Sequence, residues 1–407
     1  MTAAYVPTDT LFLWYLAQPE RPVLIGELNL VLRGRGVSLR YAPAWLAHGF
    51  ALSEDLALAA QEWLPRVPDL AAGAVDDARP DRWGERVIRQ LERSPRFSII
   101  EMLYFAGDAR FGALGVSRSA TEYLPHPAAP LPQLSDVADL HSLVARVAAG
   151  LPVGEAERRL IAPGASLGGS RPKAQVEIEG APWLLKFAES GFEHEPLVEH
   201  ASMTLAAQVG ITVAQTRVLH FARGVALAVR RFDRVVDESG MPRRLHALSA
   251  GVALPAAGAP LSYPALAQLL RRRGAPERYA VQMRELFRRM VFNILIDNTD
   301  DHEKNHALLV DDAQYLHLSP VYDVLPTGLG LGVQSLEVGE AGHESSLANA
   351  LSMAAAFGWS APQARAEMQA VVAVVDNWRS YFAQQGVAAQ TIEQLGQQID
   401  KSALRRV

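Results

Sequence analysis

The chain has 407 residues, 49% hydrophobic and 20% charged, with a formal net charge of −5 and no cysteine. This balance belongs to a folded globular protein of two or three domains or subdomains, and the missing thiols exclude disulfides and thiolate metal sites while fitting a reducing cytosol. The acidic balance argues against unaided binding of nucleic acid, so DNA contact is expected only through a partner. Residues 1–16 lack the basic lead of a secretion signal, and no apolar run reaches the roughly 18 residues of a membrane span; a cytoplasmic location without membrane contact is expected.

In chain order, Val23–Leu28 and Gly34–Tyr41 read as two strands joined at a glycine turn, and a helix is expected to start after Pro80 with Asp81 supporting its first turn. Residues Tyr123 to Gln133 hold four prolines in eleven positions and mark a linker. A helix over Val137–Ala149 then leads to a glycine-rich turn and two strands, Ala174–Ile178 and Trp183–Phe187. Next come a helix from Leu197 to Val209, a strand pair ending at Val229, and a mainly helical remainder beyond Pro264, broken by a hairpin between His306 and Val324. The expected segments are 1–122, 135–235 and 236–407. The basic clusters Arg230, Arg231, Arg234 and Arg271 to Arg273 read as solvated surface or internal ion pairs.

The strongest chemical signal is Asp300-Asp301-His302-Glu303-Lys304-Asn305. It follows a helix whose apolar residues Phe287, Met290, Val291, Ile294 and Leu295 keep i, i+3, i+4 spacing, and it precedes a short apolar strand. Protein kinases set a catalytic aspartate five positions before a metal-binding asparagine in such a loop, the aspartate accepting the hydroxyl proton and the asparagine oxygen holding Mg²⁺. Asp300 and Asn305 have that separation. A bare pair at this spacing also fits a polar turn. A second apolar strand ending in Asp323 adds a carboxylate that a hairpin would return toward Asn305.

Upstream, Gly164 to Lys173 form a glycine-rich loop whose backbone N–H groups could approach phosphate, without the Gly-Lys-Ser/Thr ending of a Walker A loop; a flexible connector reads equally from composition. Lys186 lies between apolar neighbours and needs an anion, either a phosphate or a glutamate. Glu199 is a candidate partner with Glu195 its rival, and a solvated helix face is the alternative for Glu199. His302 is assigned either a phosphate contact or a loop-fixing hydrogen bond. Trp14, Trp45 and Trp83 are core candidates, His246 has no partner visible in sequence, and no zinc-ligand spacing occurs.

The ordered set Ser166-Leu-Gly-Gly-Ser-Arg-Pro-Lys173, Leu-Lys186-Phe, Val229-Arg-Arg-Phe232-Asp233-Arg234, Asn298 to Asn305 and Ser-Pro-Val-Tyr322-Asp323 resembles the HipA family of bacterial serine/threonine kinases. Pro80 to Gly84 and Phe111 to Leu114 are similar to that family's amino-terminal subdomain. The resemblance implies an α+β, two-lobed protein-kinase-like fold, with a small mixed N-lobe carrying the extra subdomain, a mainly helical C-lobe, and ATP and Mg²⁺ between the lobes. It makes Asp300 the catalytic base, Asn305 and Asp323 the metal ligands and Lys186 the phosphate lysine. Gly168, Gly169, Ser170, Arg171 and Lys173 would line the phosphate loop and Arg230, Arg231 and Phe232 the adenine hinge, with His302, Lys304 and Tyr322 also near the nucleotide. Ser166 stands where the family is autophosphorylated and silenced, with Ser170 as the nearby alternative; a dianion there would compete with ATP phosphates. Two departures stand out from the family's founding member. Asp301 replaces a glycine, which leaves two carboxylates as candidate base, and Arg230 replaces an acidic hinge residue.

The family further implies a toxin whose substrate is a translation component such as an aminoacyl-tRNA synthetase, and a HipB-like DNA-binding antitoxin as partner. A non-catalytic corepressor with a pseudokinase fold and a small-molecule phosphotransferase are the competing readings.

Overall fold

The computed structural model describes residues 5–126, 130–154, 157, 160–161, 169–222 and 224–405. Two compact units divide the chain: Met1–Phe187 with Phe221–Arg223 and Arg230–Leu248, and Ala188–His220 with Gly224–Val229 and Ser249–Val407. The strands expected in the first half, including those of the 173–187 hairpin, therefore fall within the first unit.

The first unit is built on a mixed sheet. Strands β1 (Thr10–Tyr15), β2 (Val23–Val31), β3 (Gly36–Tyr41), β4 (Glu62–Trp63), β5 (Leu70–Ala71) and β6 (Leu114–Ser117) lie in the order β4-β3-β2-β1-β6, with β5 added parallel to β3. The glycine turn expected between β2 and β3 is a 3-10 turn over Leu32–Gly34. Alternate residues such as Leu11 with Leu13 and Val37 with Leu39 are buried, as the two-residue period of a half-covered sheet requires, and β2 adds Ile25 and Leu28 across a register shift in its pairing with β1. Trp14, Trp45 and Trp83 are buried as expected. His246, without an evident partner in sequence, is buried against Tyr15 and Phe50 with Nε2 2.9 Å from the Leu52 carbonyl, and burial pushes its pKa down.

After the short helix α1 (Pro43–His48), two helices of this unit bear on the site: α2 (Arg82–Leu91) and α3 (Ile99–Phe105). Asp81 caps α2 as expected, its carboxylate accepting the Gly84 N–H at 2.7 Å. Trp83, Val87, Ile88 and Leu91 bury one face of α2, and its arginines occupy the other. Helix α4 (Val137–Ala148) leads to the β7 (Lys173–Ile178) and β8 (Ala181–Phe187) hairpin, whose register sets Lys173 opposite Lys186.

The second unit begins with α5 (Glu195–Gln208), followed by β9 (Thr216–Phe221) and β10 (Gly224–Arg230). The chain then passes through first-unit strands β11 (Arg234–Val236), β12 (Pro242–Arg244) and most of β13 (His246–Ser249), and the second unit resumes with α6 (Ala250–Ala256), α7 (Tyr263–Arg273) and α8 (Tyr279–Leu295). Helix α8 is the long helix expected before the catalytic loop: Phe287, Met290, Val291, Ile294 and Leu295 are fully buried. It packs on α7 and on the later α10 (Ala361–Val375), which follows α9 (Leu347–Ser352). Between them runs the expected hairpin, β14 (Ala307–Val310) with β15 (Leu316–Leu318), pairing Leu308 with Leu318. Helices α11 (Trp378–Gln384) and α12 (Ala389–Ile399) complete the unit.

Candidate active site

In the second unit, the segment between α8 and β14 is a tight, internally bonded loop. The Asp300 carbonyl accepts the His302 N–H at 2.8 Å and the Asn305 side-chain amide at 3.1 Å, and the Asn305 N–H returns to the His302 carbonyl at 2.9 Å. Nδ1 of His302 accepts the Lys304 N–H at 3.2 Å, so this ring has the loop-fixing role of its two readings. The bonds turn the Asn305 amide nitrogen inward to the loop. Its Oδ1 is left buried with no hydrogen-bond partner, in a residue only 3% exposed. A buried amide oxygen without a donor is costly unless a ligand completes it, and a hard cation is such a ligand.

The two adjacent carboxylates separate by environment. Asp300 is exposed, whereas Asp301 is buried with Oδ1 2.9 Å from His306 Nε2. That pair has ion-pair proximity but poor hydrogen-bond alignment, since Nε2 also counts among the unsatisfied atoms. Both groups are buried, so Asp301 Oδ1 faces the imidazole inside the fold while its Oδ2 is buried without a hydrogen-bond partner, and Asp300 alone of the two faces outward.

The β14–β15 hairpin brings the third motif alongside. Ser319 N–H donates to the Ala307 carbonyl at 2.9 Å, and the Tyr322 hydroxyl donates to the Lys304 carbonyl at 2.7 Å, so Asp323 follows directly from a residue anchored on the 300–305 loop. Val321 is held between Thr212 and Ala214 by backbone bonds of 2.8 and 2.9 Å. Asp323 itself has a left-handed φ of 59°, a conformation costly for a side chain other than glycine and common at functional turns.

Sequence reasoning missed Asp297. It sits at φ 58°, its carbonyl accepts both the backbone and the hydroxyl of Thr327, and its carboxylate accepts the Gly330 N–H at 3.0 Å. Burial pushes its pKa up, opposed by the Gly330 bond. Thr299 joins the same tie through Thr327, 2.7 Å between hydroxyls. The signal available in sequence was only an aspartate three positions before Asp300, which composition alone does not distinguish from a turn residue.

In the first unit, Ser166 and Gly168 lie outside the described residues, and the phosphate-loop expectation begins at Gly169. Gly169 has φ 101°, a backbone conformation that side-chain-bearing residues rarely adopt, so glycine is favoured there. Ser170 is exposed and Arg171 half-buried. Lys173 Nζ bonds Asp81 Oδ2 at 2.8 Å with both side chains buried, while Trp83 Nε1 donates to the Lys173 carbonyl at 2.8 Å. The Pro80–Gly84 motif is therefore the clamp on the exit of the glycine-rich segment. Lys186 is half-buried on the neighbouring strand.

One sequence expectation changes and one alternative reading falls away. The Arg231 guanidinium is not available to a nucleotide base: it is buried on Asp233, on Gln175 Oε1 at 3.0 Å and on the carbonyls of Ala109 and Arg110, and its N–H donates to Pro182. With Arg234 also on Asp233 at 2.7 Å, this cluster is internal ion pairing, while Arg230 is exposed and Phe232 meets Phe111 edge-on at 5.7 Å. Glu199 is not on a solvated face but buried, at 3% exposure, and Glu195 opens α5 half-buried. A glutamate that deep needs a partner, which strand and helix periodicity could not supply.

The HipA-like C-terminal domain family matches residues 165–378, more than half of the chain and a span that runs from the glycine-rich segment past Asp323. The chain belongs to the HipA-like C-terminal domain family. The protein named "Putative kinase Y4dM" of Sinorhizobium fredii is 29% identical over 164 residues, 37% of this chain and 39% of its own length. "Putative kinase Y4mE" of the same organism is 33% identical over 133 residues, 31% of each. A Haemophilus influenzae relative of the same description is 25% identical over 182 residues, so this HipA-like chain spans about a third to a half of the length of the curated relatives it matches. Among solved structures, the Shewanella oneidensis toxin–antitoxin system HipA, solved with HipB and its operator DNA, superposes with a TM-score of 0.66 over 96% of this chain and 95% of that one at 17% identity. The HipA-like chain thus has the expected α+β, protein-kinase-like fold along nearly its whole length.

Proposed function

We propose that this HipA-like chain is an ATP- and Mg²⁺-dependent serine/threonine protein kinase. The carrying observation is the Asn305 amide oxygen, buried without a donor, five residues after an exposed Asp300 and tied through Lys304 and Tyr322 to Asp323. Among the described residues no group of three or more His, Asp or Glu side chains converges on a metal position. That fits Mg²⁺, which is held by one or two protein oxygens together with nucleotide phosphates rather than by an all-protein cage. When bound, the magnesium nucleotide supplies the phosphoryl group and neutralises charge on its oxygens.

The chain's own residues do the rest. Asn305 and Asp323 offer the hard oxygens, and Asp300 accepts the proton of the attacking hydroxyl as the new O–P bond forms and the bond to ADP breaks. Gly169, Ser170, Arg171 and Lys186 are assigned to the phosphates, Arg230 and Phe232 to the base side, and His302 to fixing the loop, while Lys173 is held by Asp81 and anchors the end of the glycine-rich segment.

The family resemblance supports a toxin role, with a translation component such as an aminoacyl-tRNA synthetase as substrate and silencing by phosphorylation at Ser166. The Shewanella neighbour's HipB and operator DNA support a HipB-like antitoxin partner in the cytoplasm. The test is ATP-dependent phosphate incorporation into this protein and into candidate synthetases, with Asp300→Asn as control. Incorporation should fall about 10²- to 10⁴-fold in the variant; equal incorporation removes Asp300 from the role.

A further inference from the structure

Helix α2 sets Arg82, Arg86 and Arg89 within an arc of about 60° on its outer face, since steps of four and three residues turn a helix by nearly whole turns. All three are exposed, as is Arg93 just beyond the helix end. None of the four has a carboxylate at ion-pair distance among the described residues. The glutamates of the same stretch are held elsewhere, Glu85 by Arg79 at 3.5 Å and Glu92 by His126 at 3.0 Å. The cationic face is held rigid. Its opposite side is buried through Trp83, Val87, Ile88 and Leu91, Arg86 bonds the Ala148 carbonyl, and Gln90 bonds that of Leu151. Beside it runs an open groove of about 470 Å³, bounded by Arg82, Arg86 and Arg89 with Glu85, Gln90 and Gly150.

From this arrangement we propose that the α2 arginine face binds the phosphate backbone of duplex DNA without reading sequence. A line of guanidiniums suits a linear polyanion better than a single compact anion, which could meet only one or two of them, and the planar fork of arginine matches phosphate oxygens. Arg82 to Arg89 span about 10 Å of helix, the axial length of about three phosphates on one strand. Single-stranded nucleic acid is disfavoured because its binding sites add aromatic platforms for bases. Here Phe97 already lies under Arg89, 5.5 Å from ring centre to guanidinium, and Trp83 is buried. The net charge of −5 pointed to DNA contact only through a partner. The local field is what a phosphate meets, because charges beyond about 8–10 Å are screened at ordinary salt.

The test is fluorescence anisotropy of a labelled duplex of roughly 20 base pairs, titrated with the full chain over about 50–200 mM salt. No nucleotide is present, so the outcome is independent of the phosphotransfer reading. Binding is expected near 10⁻⁴ to 10⁻⁶ M, with a log–log salt slope of about −2.7 for three phosphates. Arg82→Glu with Arg89→Glu, which leaves the Arg86 bond intact, should weaken binding more than tenfold and bring the slope toward about −0.9, whereas the double lysine variant should stay within about threefold. A wild-type slope near zero, unchanged binding by the glutamate variant, or tighter binding of a single strand or of poly-glutamate would overturn the assignment.

Discussion

Asp300 and Asp301 are neighbours in the chain, yet one faces solvent and the other is sealed against His306. Chain spacing favoured Asp300 as the base without excluding Asp301, because both are aspartates in one polar run. The structure separates them by burial, and the separation has opposite consequences for substitution. Asp300→Asn should leave the melting temperature unchanged while removing phosphate incorporation. Asp301→Asn should lower stability by about 1–3 kcal/mol through the disturbed buried pair, with activity per folded molecule largely kept. Thermal melts run beside the incorporation assay check both; a stable but inactive Asp301→Asn protein would reverse the assignment.

At the scale of elements, one hydroxyl connects the Asp323 turn to the catalytic loop, through Tyr322 to the Lys304 carbonyl at 2.7 Å. Tyr322→Phe keeps the ring and removes that bond. It should cost about 1 kcal/mol of stability and reduce phosphate incorporation several-fold, since a reacting constellation tolerates little misplacement; steady-state assays with varied Mg²⁺ measure it, and unchanged activity would mean that this hydroxyl does not position the turn. Most elements were legible beforehand because their apolar periods are strong: β7 and β8 lie within two residues of their expected ends and β14 starts next to His306, whereas β15 stops at Leu318, short of the expected Val324. What was not legible is the pairing of Lys173 with Asp81, 92 positions apart. Nothing local in a glycine-rich run indicates which distant helix cap will meet its last lysine.

For the molecule as a whole, the tightest electrostatic knot described lies in the first unit around Asp233. Arg231, Arg234 and the Gly112 N–H all converge on its carboxylate. Burial alone would raise the pKa of Asp233, but the two guanidiniums and the hydrogen bonds outweigh it and hold the group at about 2. The folded value lies below the ordinary 3.8, so the contribution to stability is present above about pH 4 and is lost as pH falls toward 2. The depression corresponds to something on the order of 2 kcal/mol. Asp233→Asn should cost about 3–5 kcal/mol at neutral pH, by stranding two buried arginines, and should flatten the acid limb of the stability profile. Urea melts between about pH 2 and 7 report both, and a variant with the wild-type acid limb would show that other carboxylates govern it.

By itself the amino-acid order determined the elements, the positions of the phosphotransfer motifs and the family they resemble, because hydrophobic period, turn chemistry and motif spacing are properties of short segments. Only the tertiary structure decided which of two adjacent aspartates faces outward, that the Arg231 guanidinium is a buried clamp, that Glu199 is submerged, and that the arginines of α2 stand together with no carboxylate at ion-pair distance among the described residues. Each of those outcomes depends on burial and on partners far away in the chain, and desolvation acts on where a charge ends up rather than on what stands beside it in sequence.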